Sequence, residues 1–474
     1  MTFHKSLLLI AFTVITAVSC TKLVEVDPPI TSPSSGTAYT SDALAASVLT
    51  GLYMKMAPNS YAQGNQGITL FAGLSADELQ AYNQSGASFL NAYRNQLSTT
   101  FTTFWQQLYN SIYNANAALE GIAHSPGGMS DSVKKQLTGE AKFMRAFLHY
   151  YVINLYGDAP FLDTTDYLIN ATVKRTPKEQ VYELIVADLK DAQNLLKGFY
   201  VTPTGASTTE RFRPNKWTAT ALLARVYLYQ GKWANAEAEA TKLIENTTMH
   251  KLVPVLNDIF QRNSTEAIWQ IQPLTKQNYT MDGLLFVRKS PPSAGFPADL
   301  HPEFLADFET GDQRKLNWVD SFTFNTVKYF YPSKYKVKTV AAADTGKPAS
   351  ECLTVFRLAE QYLIRAEARA QQNNTAGAAA DLDVIRARAG LTPTTANDQV
   401  SLLDAIMHER RFELFTEWGH RWFDLKRTGR IDAVMSVFTP LKGGGEWSSS
   451  KALFPIPASE IQLNPNLAQN PGYN

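Results

Sequence analysis

Apolar residues return at helical spacing over most of this chain. Ser41 is placed to cap a helix running to about Met56, with Leu44, Val48 and Leu52 on one face. Phe101 to Ile122 repeats the pattern through Trp105, Leu108, Ile112 and Leu119. Lys134 to Leu155 predicts a longer helix, stopped by Gly157-Asp158-Ala159-Pro160. Thr176-Pro177 then opens another with Pro in its first turn, ending near Lys197.

Two later segments share a finer pattern. From Leu223 to Leu243 the order is Leu-Ala, a Tyr three residues after Ala224, a turn glycine at Gly231, Trp233 and then Ala236. That is the layout of a tetratricopeptide (TPR) helix hairpin, in which small residues let paired helices approach closely. Ile364 to Arg386 repeats it, with Ala366 and Ala378 at the same offset as Ala224 and Ala236, and Ile385 where the first copy has Leu243. Asn373 replaces the turn glycine, and asparagine tolerates the left-handed backbone such a turn needs. Lys134 to Lys197 offers a third, more degenerate hairpin.

The periodicity lapses between about Ile268 and Ala341. Tyr279 to Tyr335 holds twelve aromatic residues in 57 positions, about double the average of the chain, which is 11% aromatic. These features predict a mainly α fold of TPR-like hairpins interrupted by a loop-rich, aromatic-rich insertion. The expected layout is a leader at 1–19, a tether at 20–40, a helical region at 41–267, the insertion at 268–350, and a closing hairpin, charged helix and extended tail at 351–474.

Composition narrows the function. Apolar residues make up 45% of the 474, enough for a core, and 44 Lys+Arg against 43 Asp+Glu leaves no basic footprint for nucleic acid. Cys20 and Cys352 are the two cysteines, too few for a disulfide framework or thiolate metal cluster. Leu7 to Val18 is uncharged but spans roughly 18 Å as a helix, short of a ~30 Å hydrocarbon core, so it reads as an export signal. Ala17-Val18-Ser19-Cys20 resembles a lipoprotein cleavage site, with Ala17 where a leucine is usual; acylation would fall on Cys20. Pro28-Pro29, Pro33 and Ser34-Ser35-Gly36 suit an extended tether behind it.

A family resemblance rests on several blocks in order. They are Leu23 to Pro29 after Cys20, Trp105 to Asn116, Gly139 to Ala146 with Leu155 to Asp158, the Leu223 hairpin, Tyr362 to Ala368, Glu409 to Leu414 with Arg421 to Leu425, and the ending Leu453 to Pro457 and Asn470 to Tyr473. Together they resemble the SusD/RagB family over nearly the whole chain. The resemblance implies a lipid-anchored, surface-exposed outer-membrane protein with TPR-like repeats. Such a protein captures a glycan or peptide and acts as a lid on a TonB-dependent, SusC-like barrel transporter. The alternatives are an envelope scaffold that uses its repeats for protein assembly and a peptide-binding member of the same family.

Glu409, Glu413 and Glu417, spaced i, i+4, i+8 on one predicted helix with Asp424 beyond, are the carboxylates a catalytic site could use. Glycoside hydrolysis needs paired carboxyls, one of them protonated. Arg410, Arg411, Arg421 and Arg427 are near enough in sequence to hold these groups ionised, so the block reads as a structural ion network and the protein as no enzyme. The scattered histidines form no metal motif, and no cofactor is implied. Binding asks for different residues: aromatic faces that pack on sugar C–H groups, with polar neighbours for the hydroxyls. The candidates with a polar handle on loop-rich stretches are Tyr82, Tyr93, Tyr279, Trp318, Tyr329 and Tyr331.

Overall fold

The computed structural model describes residues 37–274, 278–339 and 346–473. Its long helices are α1 (Asp42–Met54), α2 (Thr103–Ala123), α3 (Asp131–Tyr156), α4 (Lys178–Leu195), α5 (Lys216–Tyr229), α6 (Trp233–Glu245), α7 (Leu358–Gln371), α8 (Thr375–Arg388) and α9 (Gln399–Glu413). Local chemistry sets their ends. The hydroxyl of Ser41 accepts from the Leu44 amide to start α1, and Gly157 closes α3 at φ 75°. Pro177 stands one residue earlier than expected, as the N-cap of α4.

The helices pack serially, α2 on α3, α3 on α4, and so on through α8, with α9 against α7. This is the arrangement of a helical-hairpin stack. Ala224, Ala236, Ala366 and Ala378 are all fully buried, as close helix approach requires. The matching turns use the same left-handed backbone, Gly231 at φ 68° and Asn373 at φ 61°.

Among the described residues, six short strands form three two-stranded antiparallel ribbons. They are β1 (Leu79–Ala81), β2 (Ala267–Ile271), β3 (Ala298–Leu300), β4 (Val319–Phe324), β5 (Val327–Pro332) and β6 (Leu353–Arg357), paired β1–β3, β2–β6 and β4–β5. The β2–β6 ribbon lies in the core. Trp269 packs edge-on against Phe143 and Phe147 of α3 and stacks on Phe356 of β6. Because β2 and β6 are neighbours, the described residues between them form one excursion, which starts and ends at the same place in the helical body.

Candidate functional site

The excursion carries β3, β4 and β5, and it folds back on the segment after β1. The register Leu79↔Leu300 and Ala81↔Ala298 sets Tyr82 beside Asp299. The Tyr82 phenol donates to Asp299 Oδ2 at 2.9 Å and accepts from Gln80 Nε2 at 2.8 Å. β5 packs beside β3 and brings the Tyr329 ring to 6.0 Å from Tyr82, edge to face at 74°. Two half-buried tyrosines from distant parts of the sequence thus share one surface. Asn83 and Gln84, both exposed, follow Tyr82 and add carboxamide donors and acceptors at its edge.

Arg288 fixes this surface from beneath. It is buried, pairs with the Asp299 carboxylate and donates to Ala298 O at 3.0 Å. Its guanidinium lies 5.6 Å from the Tyr329 ring centre and 5.7 Å from that of Phe296, so it braces both aromatics. Burial pushes the Tyr82 phenol up, and the Asp299 carboxylate pushes it further, so the phenol stays protonated and donating. Lys338 sits 3.7 Å over Phe296. Burial, and then repulsion from Lys289 and Arg288, bring its ammonium down to about 8.

The other candidates lie elsewhere. Trp318, expected on an exposed loop, is fully enclosed: its indole N–H donates to Leu256 O at 3.0 Å and its ring packs among Phe260 and Phe415. It is a core residue. Tyr331 is also buried, at 6% exposure, with its hydroxyl donating to Asp320 Oδ2 at 3.0 Å and pushed up to about 12, first by burial and then by that carboxylate. Tyr329 and Tyr331 share a face of the β4–β5 hairpin, but exposure falls from the tip at Phe324 and Val327 towards the base, where Tyr331 sits. Tyr93 is half-buried under the Lys442 ammonium at 5.3 Å, and Tyr279 is half-buried just ahead of the helix Met281–Phe286. Among the described residues neither makes a ring contact with Tyr82 or Tyr329. Cys20 lies outside the described residues.

Arg288, Asp299 and Gln80 were not singled out from the sequence. Arg288 and Asp299 are eleven positions apart with no shared period and meet through the fold of the loop between them, while the β1–β3 register brings Gln80 opposite Asp299.

The carboxylate block is buried and paired, but its partners differ from those the helical spacing points to. Glu413 is gripped by Arg314 at 3.2 Å and by Arg357 and Arg388. Glu409 pairs with Arg314 at 2.5 Å, and Glu417 with Lys334 at 2.5 Å and Arg357 at 2.7 Å. Arg410 and Arg427 instead hold Asp424, while Arg411 and Arg421 hold Asp77. The expected single helix is shorter than the spacing suggests: α9 ends at Glu413, and Glu417 lies in the turn beyond it, between Thr416 and Trp418 at φ 50° and 49°. Glu409 and Glu413 of α9 and Glu417 of that turn all meet cations of β6, α8 and the excursion. Burial alone would raise the Glu413 carboxyl, yet Arg388, Arg357, Arg314 and Lys334 outweigh it and hold the group well below the usual carboxylate range. A permanently ionised, fully enclosed carboxylate cannot serve as a general acid. The thiol of Cys352 is buried too, and burial pushes it up to about 12, far from a nucleophile's range.

The SusD family model matches residues 314–473, and a second model, described as starch-binding associating with outer membrane, matches residues 23–228. The chain belongs to the SusD family. A SusD-like protein, P25, of Formosa agariphila is 25% identical over 99% of both chains. The starch-binding protein SusD of Bacteroides thetaiotaomicron is 24% identical, covering 73% of this chain and 74% of that one. A laminarin-binding SusD-like protein of known structure superposes with a TM-score of 0.76 at 23% identity, over 92% of this chain and all of the other. A SusD superfamily protein from Bacteroides vulgatus matches equally well at 21% identity over the same shares. Within this SusD-family chain, no helix among the described residues is long and apolar enough to cross a membrane.

Proposed function

We propose that this SusD-family protein captures an oligosaccharide on the Tyr82–Tyr329 face without cleaving it. The observation that carries the reading is the meeting of Tyr82 and Tyr329 at 6.0 Å, half-exposed and braced by the buried Arg288–Asp299 pair. Rigid aromatic faces lose little entropy on binding, and the flanking Asn83 and Gln84 can take the ligand's hydroxyls. Starch binding and laminarin binding by relatives support a glucan-like ligand.

The test is a calorimetric titration of mature protein with short laminarin and starch fragments, with the products checked for chain shortening. Replacing Tyr82 and Tyr329 together by Ala should weaken binding at least tenfold, about 1.4 kcal/mol, while lowering the melting temperature by less than about 4 °C. Wild-type affinity in that variant would move the site off this face, and shortened products would restore the enzyme reading.

The protein is further proposed to hang from the outer membrane by an acylated Cys20 and to pass its ligand to a TonB-dependent, SusC-like transporter. A leader followed by a cysteine and a proline-rich tether supports the anchor. Cys20→Ala should abolish fatty-acid labelling and release the protein from the outer-membrane fraction. Labelling that survives the substitution would rule out this anchor.

A further inference from the structure

A second cleft, of about 240 Å³, opens where the C-terminal tail crosses α2. Trp105 and Tyr109 of α2 form its floor, with ring centres 4.8 Å apart, and the Tyr109 hydroxyl is tied to Pro160 O at 2.8 Å. Two exposed side chains stand on its rim: Tyr167, 78% exposed on the short helix Tyr167–Asn170, and Leu463, 76% exposed on the helix Ala458–Leu463. The two lips are fastened to each other, Asn464 Nδ2 donating to Val173 O at 2.9 Å and Asn466 Nδ2 to Thr172 O at 2.8 Å. None of these residues belongs to the Tyr82–Tyr329 face.

Two polar groups in the cleft are unused. The Asn170 amide nitrogen donates to Thr164 O at 2.8 Å, which fixes the orientation of the side chain, and its Oδ1 is then buried without a partner. Buried acceptors in native proteins are ordinarily satisfied, so this one points to a donor from outside. The side-chain carboxylate of Glu460, half-buried in the same cleft, takes part in no hydrogen bond or ion pair among the described residues, the hydrogen bonds of this residue being those of its backbone to Pro457 and Asn464. An aromatic floor with two free acceptors calls for a ligand that offers an apolar ring face and hydroxyl donors on its edge. The volume is below that of a drug-sized pocket and suits a single ring.

We propose that this cleft is a second sugar-binding site, holding one ring of a glycan against Trp105 and Tyr109 with its hydroxyls on Glu460 and Asn170. The inference rests on the oligosaccharide reading given above, but on none of that face's residues. A chain with two such sites grips one long glycan at two points and gains from effective concentration.

The experiment titrates short laminarin and starch fragments into full mature protein in four forms: wild type, Tyr82→Ala/Tyr329→Ala, Tyr167→Ala/Glu460→Gln, and all four changes. Tyr167 is exposed and Glu460→Gln keeps its shape, so folding is preserved, as a melting curve verifies. The expected result is more than one site per wild-type chain, a weaker site surviving in the Tyr82/Tyr329 variant, and at least a tenfold loss of that residual binding in the quadruple variant. A single site removed by the Tyr82/Tyr329 changes overturns this inference and leaves the main reading intact. Binding removed by the Tyr167/Glu460 changes alone upholds the cleft and overturns the main face. No binding of either sugar to the wild type overturns both, and capture of a lysine-rich peptide in place of sugar overturns the ligand class.

Discussion

Arg357→Met should destabilise the protein by about 3–5 kcal/mol, read as a lower urea midpoint with an unchanged slope. Arg357 is 98% enclosed and touches Glu266 at 3.1 Å, Glu417 at 2.7 Å and Glu413. Methionine fills similar space, so the loss measures carboxylates left short of positive charge in a dry interior. The pH dependence follows from the sign of the shift. Glu413 is held below its unfolded value of about 4.3, so it contributes stability above that pH and loses it as the pH falls. With Arg357 gone the Glu413 depression is smaller and there is less to lose. The gap between variant and wild type should therefore narrow from pH 7 to about pH 3.5. A gap that stays constant would assign the whole effect to packing.

Trp318→Ala should destabilise by about 3–5 kcal/mol, the usual loss for a large buried aromatic. The change removes ring contacts with Phe260 and Phe415, orphans the Leu256 carbonyl and strips the aromatic face lying 4.5 Å from the Lys334 ammonium. Because Trp318 is remote from solvent, the folded fraction should bind laminarin or starch fragments with wild-type affinity at low temperature. A loss below about 1 kcal/mol, or a stable variant that no longer binds, would return Trp318 to the ligand surface.

The helical body was legible because its information is local. Alanines at matched offsets, a capping serine at Ser41 and a turn asparagine at Asn373 each leave a signature within a few residues, and each sits in the structure where that signature puts it. The recognition face was legible only in part. Tyr82 and Tyr329 were named because loop tyrosines are chemically conspicuous, but nothing near either position encodes their meeting, which depends on strand pairings between distant segments. The same limit misassigned Trp318 and Tyr331, since a loop-rich stretch in sequence becomes core wherever another segment closes over it. The ion network shows both sides. Glutamates at a spacing of four required positive partners, and partners exist; their identity, Arg314, Lys334, Arg357 and Arg388, followed from tertiary packing and not from proximity in the chain, as did the turn that takes Glu417 off the helix.

That network also decides which parts of the molecule are free to vary. Arg314 and Lys334 belong to the excursion, and through them its base is clamped by buried charges onto α9 and the turn that follows it. The excursion is therefore not a module that can be lifted out at β2 and β6. The tip of the β4–β5 hairpin, solvent-exposed from Thr323 to Lys328, lies beyond the clamp and bears no such constraint. New lengths and side chains can be tried there, a few residues from Tyr329, while the frame that holds the tyrosines in place is left undisturbed.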